Sequence, residues 1–273
     1  MTDLLTHFFH SPVMMDSLLP ALLIAVVTAT MSIMVLAHRL SFLTVGVSHS
    51  SLAGLGLASL FGLPLLPSAT GFAVLIALLL ALMPQKKGIS EDAGTGILFA
   101  GSMALGITLI STSTSQVNLF GLLFGNILTI SSAEQLWLWL LAAIILITCL
   151  LAARSWWSIA FDAVTAAANG LPVHGLRLLL YGIIGLTAML CVKLAGIILT
   201  AGLMILPASC AWLWGRSLLG LWLLSLLFSL LGTGIGLLTS YAMDWPAGPA
   251  IVLALCVLFI ASWGISWLKN RVQ

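Results

Sequence analysis

The sequence predicts an all-α integral membrane protein, and three observations carry that prediction. Hydrophobic residues fill 62% of the 273 positions and charged residues only 6%, too few to clothe a water-facing surface. Apolar runs of about twenty residues, the length that crosses a bilayer as a helix, recur along nearly the whole chain. The basic residues fall in alternate loops, the bias of a polytopic protein whose positive loops lie in the cytoplasm. No stretch remains for a soluble domain, so residues 1–273 read as a single transmembrane domain.

Polar breaks divide the chain into about eight or nine spans, centred near residues 27, 53, 75, 103, 144, 183, 204, 229 and 259. The first run, Leu18 to Leu36, is too long for a secretory signal and follows Asp3 and Asp16 rather than basic residues, so it is expected to remain as a helix. The second begins beyond Arg39 and the third surrounds Gly71 to Met83. The fifth, Leu136 to Leu151, has Trp137 and Trp139 near one end and Trp156 and Trp157 beyond the other, as two interfacial belts would. Gly232, Gly234 and Gly236, like Gly121 and Gly125, permit close helix approach. The last span is Val252 to Leu268.

With the Arg39 loop in the cytoplasm, alternation puts Lys86, Lys87, Arg154, Arg177, Arg216, Lys269 and Arg271 on the same side and leaves Lys193 opposite. The N-terminus is then outside and the C-terminus cytoplasmic. Lys193 is expected to snorkel to the interface rather than pair with an acid. The outer connection from Ser111 to Ser132 has an apolar middle, Leu119 to Asn126, able to dip into the membrane edge as a short helix. The longest inner connection, about Arg154 to His174, centres on a short helix from Phe161 that Asn169-Gly170 would end. Asp162 near its start suits the helix dipole, and such a helix could dock on a soluble partner.

Several chemistries are excluded. Cys149, Cys191, Cys210 and Cys256 lie in apolar stretches without Cys-x-x-Cys spacing, and read as packing residues rather than disulfide or thiolate-metal ligands. A formal charge of +2 does not argue for nucleic acid. No phosphate-binding Gly-x-x-x-x-Gly-Lys-Ser/Thr loop, Gly-x-Ser-x-Gly elbow, His-Glu-x-x-His pair or close carboxylate pair occurs, so no catalytic residue is assigned and the chain is not expected to be an enzyme.

One polar cluster falls inside a span. Ser48-His49-Ser50-Ser51 lies ten residues past Arg39, roughly 15 Å along the second helix. Ionisable groups within a membrane are costly and mark transport pathways. His49 can ligate a metal through a neutral ring nitrogen, with Ser48 and Ser51 as weaker oxygen donors. A histidine hydrogen-bonded between helices satisfies the same sequence, and residue chemistry alone leaves both readings open. His7, His10, His38 and His174 flank spans and read as interfacial, although His7 and His10 could meet metal at the outer surface.

The segment Arg39-Leu-Ser-Phe-Leu-Thr-Val-Gly-Val-Ser-His49-Ser-Ser-Leu-Ala-Gly54 resembles the second-helix motif of zinc, manganese and iron ABC-importer permeases. Leu119-Phe-Gly-Leu-Leu-Phe-Gly125, Phe161-Asp162 with Ala166 and Gly170, Val192-Lys-Leu-Ala-Gly196 leading to Leu203-Met-Ile-Leu-Pro-Ala-Ser209, and Asp244-Trp-Pro-Ala-Gly-Pro249 match that family in order. The resemblance covers nearly the whole chain. It implies a type II-like importer fold in a bacterial inner membrane. It also implies a homodimer fed by an extracytoplasmic metal-binding protein and driven by two cytoplasmic ATPase subunits, with no permanently bound cofactor. The segment holding Asp162, Ala163, Ala166, Asn169 and Gly170 would be the coupling helix, and His49 the histidine of the metal path. One departure stands out: the family's aspartate four residues before that histidine is here Val45. Losing a hard oxygen ligand leans the expected cargo toward zinc over manganese or iron. The alternative reading, a secondary transporter or channel working alone, lacks the internal repeat such folds usually show.

Overall fold

The computed structural model describes residues 12–83, 90–113, 125 and 132–272. Within them the chain is wholly helical: α1 (Pro12–Ala37), α2 (Ser41–Phe61), α3 (Leu65–Leu82), α4 (Glu91–Thr112), α5 (Ser132–Phe161), α6 (Ala163–Ala168), α7 (Val173–Ala195), α8 (Ile197–Trp212), α9 (Leu218–Met243) and α10 (Ala247–Val272). Eight of these are long and apolar enough to cross a bilayer. Their outward side chains are as apolar as their cores: Leu150, Leu151 and Val257 are 81%, 78% and 65% exposed. Such a surface is stable against lipid and aggregates in water. The protein is a multi-pass membrane protein.

All nine expected span centres fall within helices, but the seventh, near residue 204, differs in kind. Only Gly196, at φ 93, separates α7 from α8. That left-handed backbone costs glycine little and other residues more, so the Lys-Leu-Ala-Gly sequence ends one helix and starts the next without a loop. With 16 residues, α8 is only about 24 Å long.

The helices gather into two compact units built from separated stretches, residues 1–36, 120–139 and 191–273 in one and 37–119 and 140–190 in the other. Within the latter unit, α2 packs against both α3 and α4, and 72% of its span is buried. Backbone-to-backbone approach makes this arrangement tight. A Cβ on Gly54 would lie 2.8 Å from the Ala69 Cα, and one on Gly106 would lie 2.7 Å from the Ala53 amide nitrogen. No larger residue fits at either position without moving a helix.

Within the other unit, α8, α9 and α10 pack on one another, and Gly232 and Gly236 of α9 receive Leu255 and Ile251 of α10. Gly234 faces open space, so the close-packing role expected of it is not seen. A hydroxyl seam joins α1 to α9: Thr28 meets Ser229 at 3.3 Å, Ser32 meets Ser225 at 3.2 Å, and Ser225 donates to the Ala29 carbonyl at 2.8 Å. Helices already surrounded by lipid gain little from hydrophobic association, whereas such bonds contribute on the order of 1 kcal/mol each.

Three expectations about the loops require correction. Arg154 lies inside α5, which continues to Phe161, so the connection before α7 is shorter than expected. Trp156 is fully buried and donates its Nε1 hydrogen to the Leu176 carbonyl at 2.9 Å, holding α5 to α7 rather than marking an interface. Lys193 pairs with Glu134 at 2.7 Å instead of snorkelling alone. The two side chains are 23% and 29% exposed, and a charge so shielded is more stable against a fixed carboxylate than unpaired. His7, His10, Lys86, Lys87, Gly121 and most of the outer connection lie outside the described residues.

Candidate functional site

The start of α2 sets the geometry around His49. Arg39 turns the chain at φ 58, Leu40 occupies the cap position without a side-chain hydrogen bond, and α2 then runs unbroken to Phe61. Most of its first half is buried, but Phe42, Val45 and His49 keep partial exposure. The i, i+3 and i+4 spacings that link them place the three on one helical stripe.

His49 Nδ1 lies 3.0 Å from the Val45 carbonyl oxygen. A carbonyl only accepts, so this bond requires the hydrogen on Nδ1, and the neutral ring then keeps its lone pair on Nε2, the form in which imidazole binds a metal. Phe99 of α4 meets the ring edge-on, with centroids 5.1 Å apart and planes at 84°. The ring is thus oriented by its own helix and one aromatic neighbour, and no interhelical hydrogen bond of His49 is found among the described residues.

The neighbouring serines are directed elsewhere. Ser48 and Ser51 are fully buried and donate to the carbonyls of Val45 and Ser48 at 2.9 and 2.6 Å. Ser50 bonds to the Gly46 carbonyl at 2.7 Å and to Ser102 of α4 at 2.8 Å. Their hydroxyls satisfy the packed interior and leave His49 as the donor on the half-exposed face. No group of three or more His, Cys, Asp or Glu side chains capable of holding a metal occurs among the described residues.

The second site feature is α6. Asp162 caps it: Oδ1 accepts from the Val164 amide at 2.9 Å and Oδ2 from the Thr165 hydroxyl at 2.5 Å. The Thr165 hydroxyl, followed by the Thr165 and Val164 amides, holds the Asp162 carboxyl below its ordinary range. Asn169 follows α6, and Gly170 at φ 83 turns the chain away. Ala163, Asn169 and Gly170 are exposed, as is Val164 at 80%, whereas Ala166 is 1% exposed. Ala166 therefore seats the helix on its own chain, and the neighbouring exposed positions form its free face.

His38, at the end of α1, is partly buried and its Nε2 has no hydrogen-bond partner. Desolvation pushes its proton affinity below the ordinary histidine range, opposed less strongly by the Trp156 backbone. His174 is exposed. Sequence reading did not anticipate the ion pair at 3.0 Å between Arg177 of α7 and Glu91 of α4. Eighty-six residues separate the partners, and no periodicity links them.

The profile of the ABC 3 transport family matches residues 10–266, almost the entire chain. The chain belongs to the ABC 3 transport family. It is 30% identical to the manganese import system permease protein ScaB of Streptococcus gordonii over 98% of this chain and 97% of that protein. The chelated iron transport system membrane protein YfeD of Yersinia pestis is 29% identical over 95% and 88% of the two chains. The solved structure of PsaBC from Streptococcus pneumoniae, in complex with Fab, superposes with a TM-score of 0.85 at 27% identity, covering 96% and 95% of the chains. This ABC 3 family member is accordingly a permease and not itself an enzyme, and its helices have the arrangement of an ABC importer permease.

Proposed function

We propose that this chain is the permease of an importer for a divalent transition-metal cation, with zinc as the cargo its donor chemistry favours. The observation that carries the reading is His49: a half-exposed imidazole within a span, with Nδ1 committed to its own helix and Nε2 retaining its lone pair. Val45, one turn away, offers no oxygen. A nitrogen donor without a neighbouring carboxylate suits zinc better than manganese. The names of ScaB and YfeD make manganese and chelated iron the competing cargoes.

In this reading the permease works as a homodimer, so two His49 side chains can contribute to one path. An extracytoplasmic binding protein delivers the metal, and cytoplasmic ATPase subunits engage α6 through Phe161, Val164 and the other exposed residues beside it. The Arg39 and Arg216 loops face the cytoplasm and Asp244 faces outward. Family membership disfavours a transporter or channel working alone.

The deciding experiment is uptake of radiolabelled zinc by reconstituted transporter carrying His49→Ala. Uptake is expected to fall at least about tenfold, the order by which disturbing a metal's ligand environment lowers affinity. Membrane expression and ATPase association should persist, because alanine suits a helix interior. Uptake within twofold of the unsubstituted transporter rejects the assignment.

A further inference from the structure

A cavity of 370 Å³ opens among helix ends in the unit containing α2. Its lining includes Ala37 at the end of α1, Glu91 at the start of α4, Ile159 near the end of α5 and Val173 at the start of α7. It therefore lies at the level where spans give way to loops, the depth of lipid headgroups, rather than in the apolar middle.

Its polar lining is biased toward cations: Arg39 and Arg177 face it against Glu91, with His38 alongside. Glu91 is already engaged by Arg177 at 3.0 Å, and that guanidinium also sits 5.2 Å from the centroid of the Tyr181 ring. Arg39 makes no ion pair among the described residues. Three helix N-termini border the cavity through Leu40, Glu91 and Val173. At α2 no side chain caps the first amides. Uncapped N–H groups and positive dipole ends favour an anion. Asp92 and Asp162 are the acidic neighbours in sequence, but Asp162 spends both oxygens capping α6.

The geometry points to a binding site for a phosphate-bearing anion in this cavity, with Arg39 as its principal charge and the first amides of α2 as backbone donors. The site is separate from His49 and needs no metal. An anionic phospholipid headgroup and free inorganic phosphate share the chemistry, and the headgroup depth of the cavity favours the lipid.

The test uses the intact permease and ATPase complex in nanodiscs of mixed phosphatidylcholine and phosphatidylglycerol. Native mass spectrometry reads the lipid retained after delipidation, with inorganic phosphate added as competitor. Selective retention of phosphatidylglycerol, weakened about tenfold by Arg39→Gly as expected for one charge-assisted contact, supports the lipid arm. Glycine retains the left-handed turn at position 39, so the variant removes charge without straining the backbone. Arg39→Lys should recover most of the retention. If phosphate binds in an Arg39-dependent manner and neither lipid is preferred, the site takes the soluble anion. Lipid retention and phosphate binding that are both indifferent to Arg39→Gly overturn the proposal. Loss of ATPase co-purification with unchanged anion binding also overturns it, and assigns the cavity to protein contact.

Discussion

At the scale of single residues, Val45 and His49 occupy one half-exposed stripe of α2, and the difference between them is chemical rather than positional. Val45→Asp adds a hard oxygen one turn from the imidazole without altering the helix register. In a competition assay with zinc and manganese, a well-expressed variant should shift its preference toward manganese. An unchanged ratio would remove position 45 from the metal path and weaken the case for His49. His38 supports a second expectation. Its folded-state proton affinity lies below that of the unfolded chain. Well above the ordinary histidine range both states are uncharged there, and the group contributes no pH dependence. As pH falls through the ordinary histidine range, the unfolded chain gains a proton that the folded protein resists, so stability declines. Thermal unfolding in detergent should show that decline, and His38→Gln should flatten it. An identical slope in the variant would assign the acid sensitivity elsewhere.

At the scale of elements, α6 is too short to persist by propensity alone and depends on its cap and its seat. Asp162 supplies the cap, and because its carboxyl is held below the ordinary range, the capped form is present at neutral pH and lost only as pH falls through that lowered value. Ala166 supplies the seat. Substitutions on the two faces should therefore fail differently. Val164→Asp, on the free face, should weaken ATPase co-purification and uncouple hydrolysis from uptake while leaving thermal stability within about 0.5 kcal/mol. Ala166→Lys buries an unpaired charge, so it should lower permease stability as well as coupling. Equal loss of stability in both variants would contradict the assignment of faces.

At the scale of the whole molecule, the proposed sidedness of the loops requires the eight span-length helices among the described residues and the shorter α8 each to cross the bilayer once. In a cysteine-free background, a cysteine at position 244 should react with an impermeant maleimide in intact cells, and one at position 216 only after permeabilisation. Labelling of position 216 from outside would invert the topology and remove the basis for ATPase engagement at α6.

Sequence alone determined the membrane class, the positions of the spans and the identity of His49 as an ionisable group inside one of them. Those properties depend on composition and on runs of consecutive residues, and a bilayer imposes the helix on any such run because no water can satisfy its backbone. The short helix within the Phe161 to Gly170 segment was legible for a similar reason: its capping acid and terminating glycine are local signals. The tertiary structure decided what depends on distant neighbours. Trp156 has the sequence context of an interfacial residue and became a buried strut because α7 brings the Leu176 carbonyl to it. Lys193 found Glu134 across 59 positions, and Arg177 found Glu91 across 86. The direction of each serine beside His49, and the burial of Ala166 among exposed neighbours, follow from which face another helix covers. No run of residues encodes that face in a helix that is apolar nearly all round.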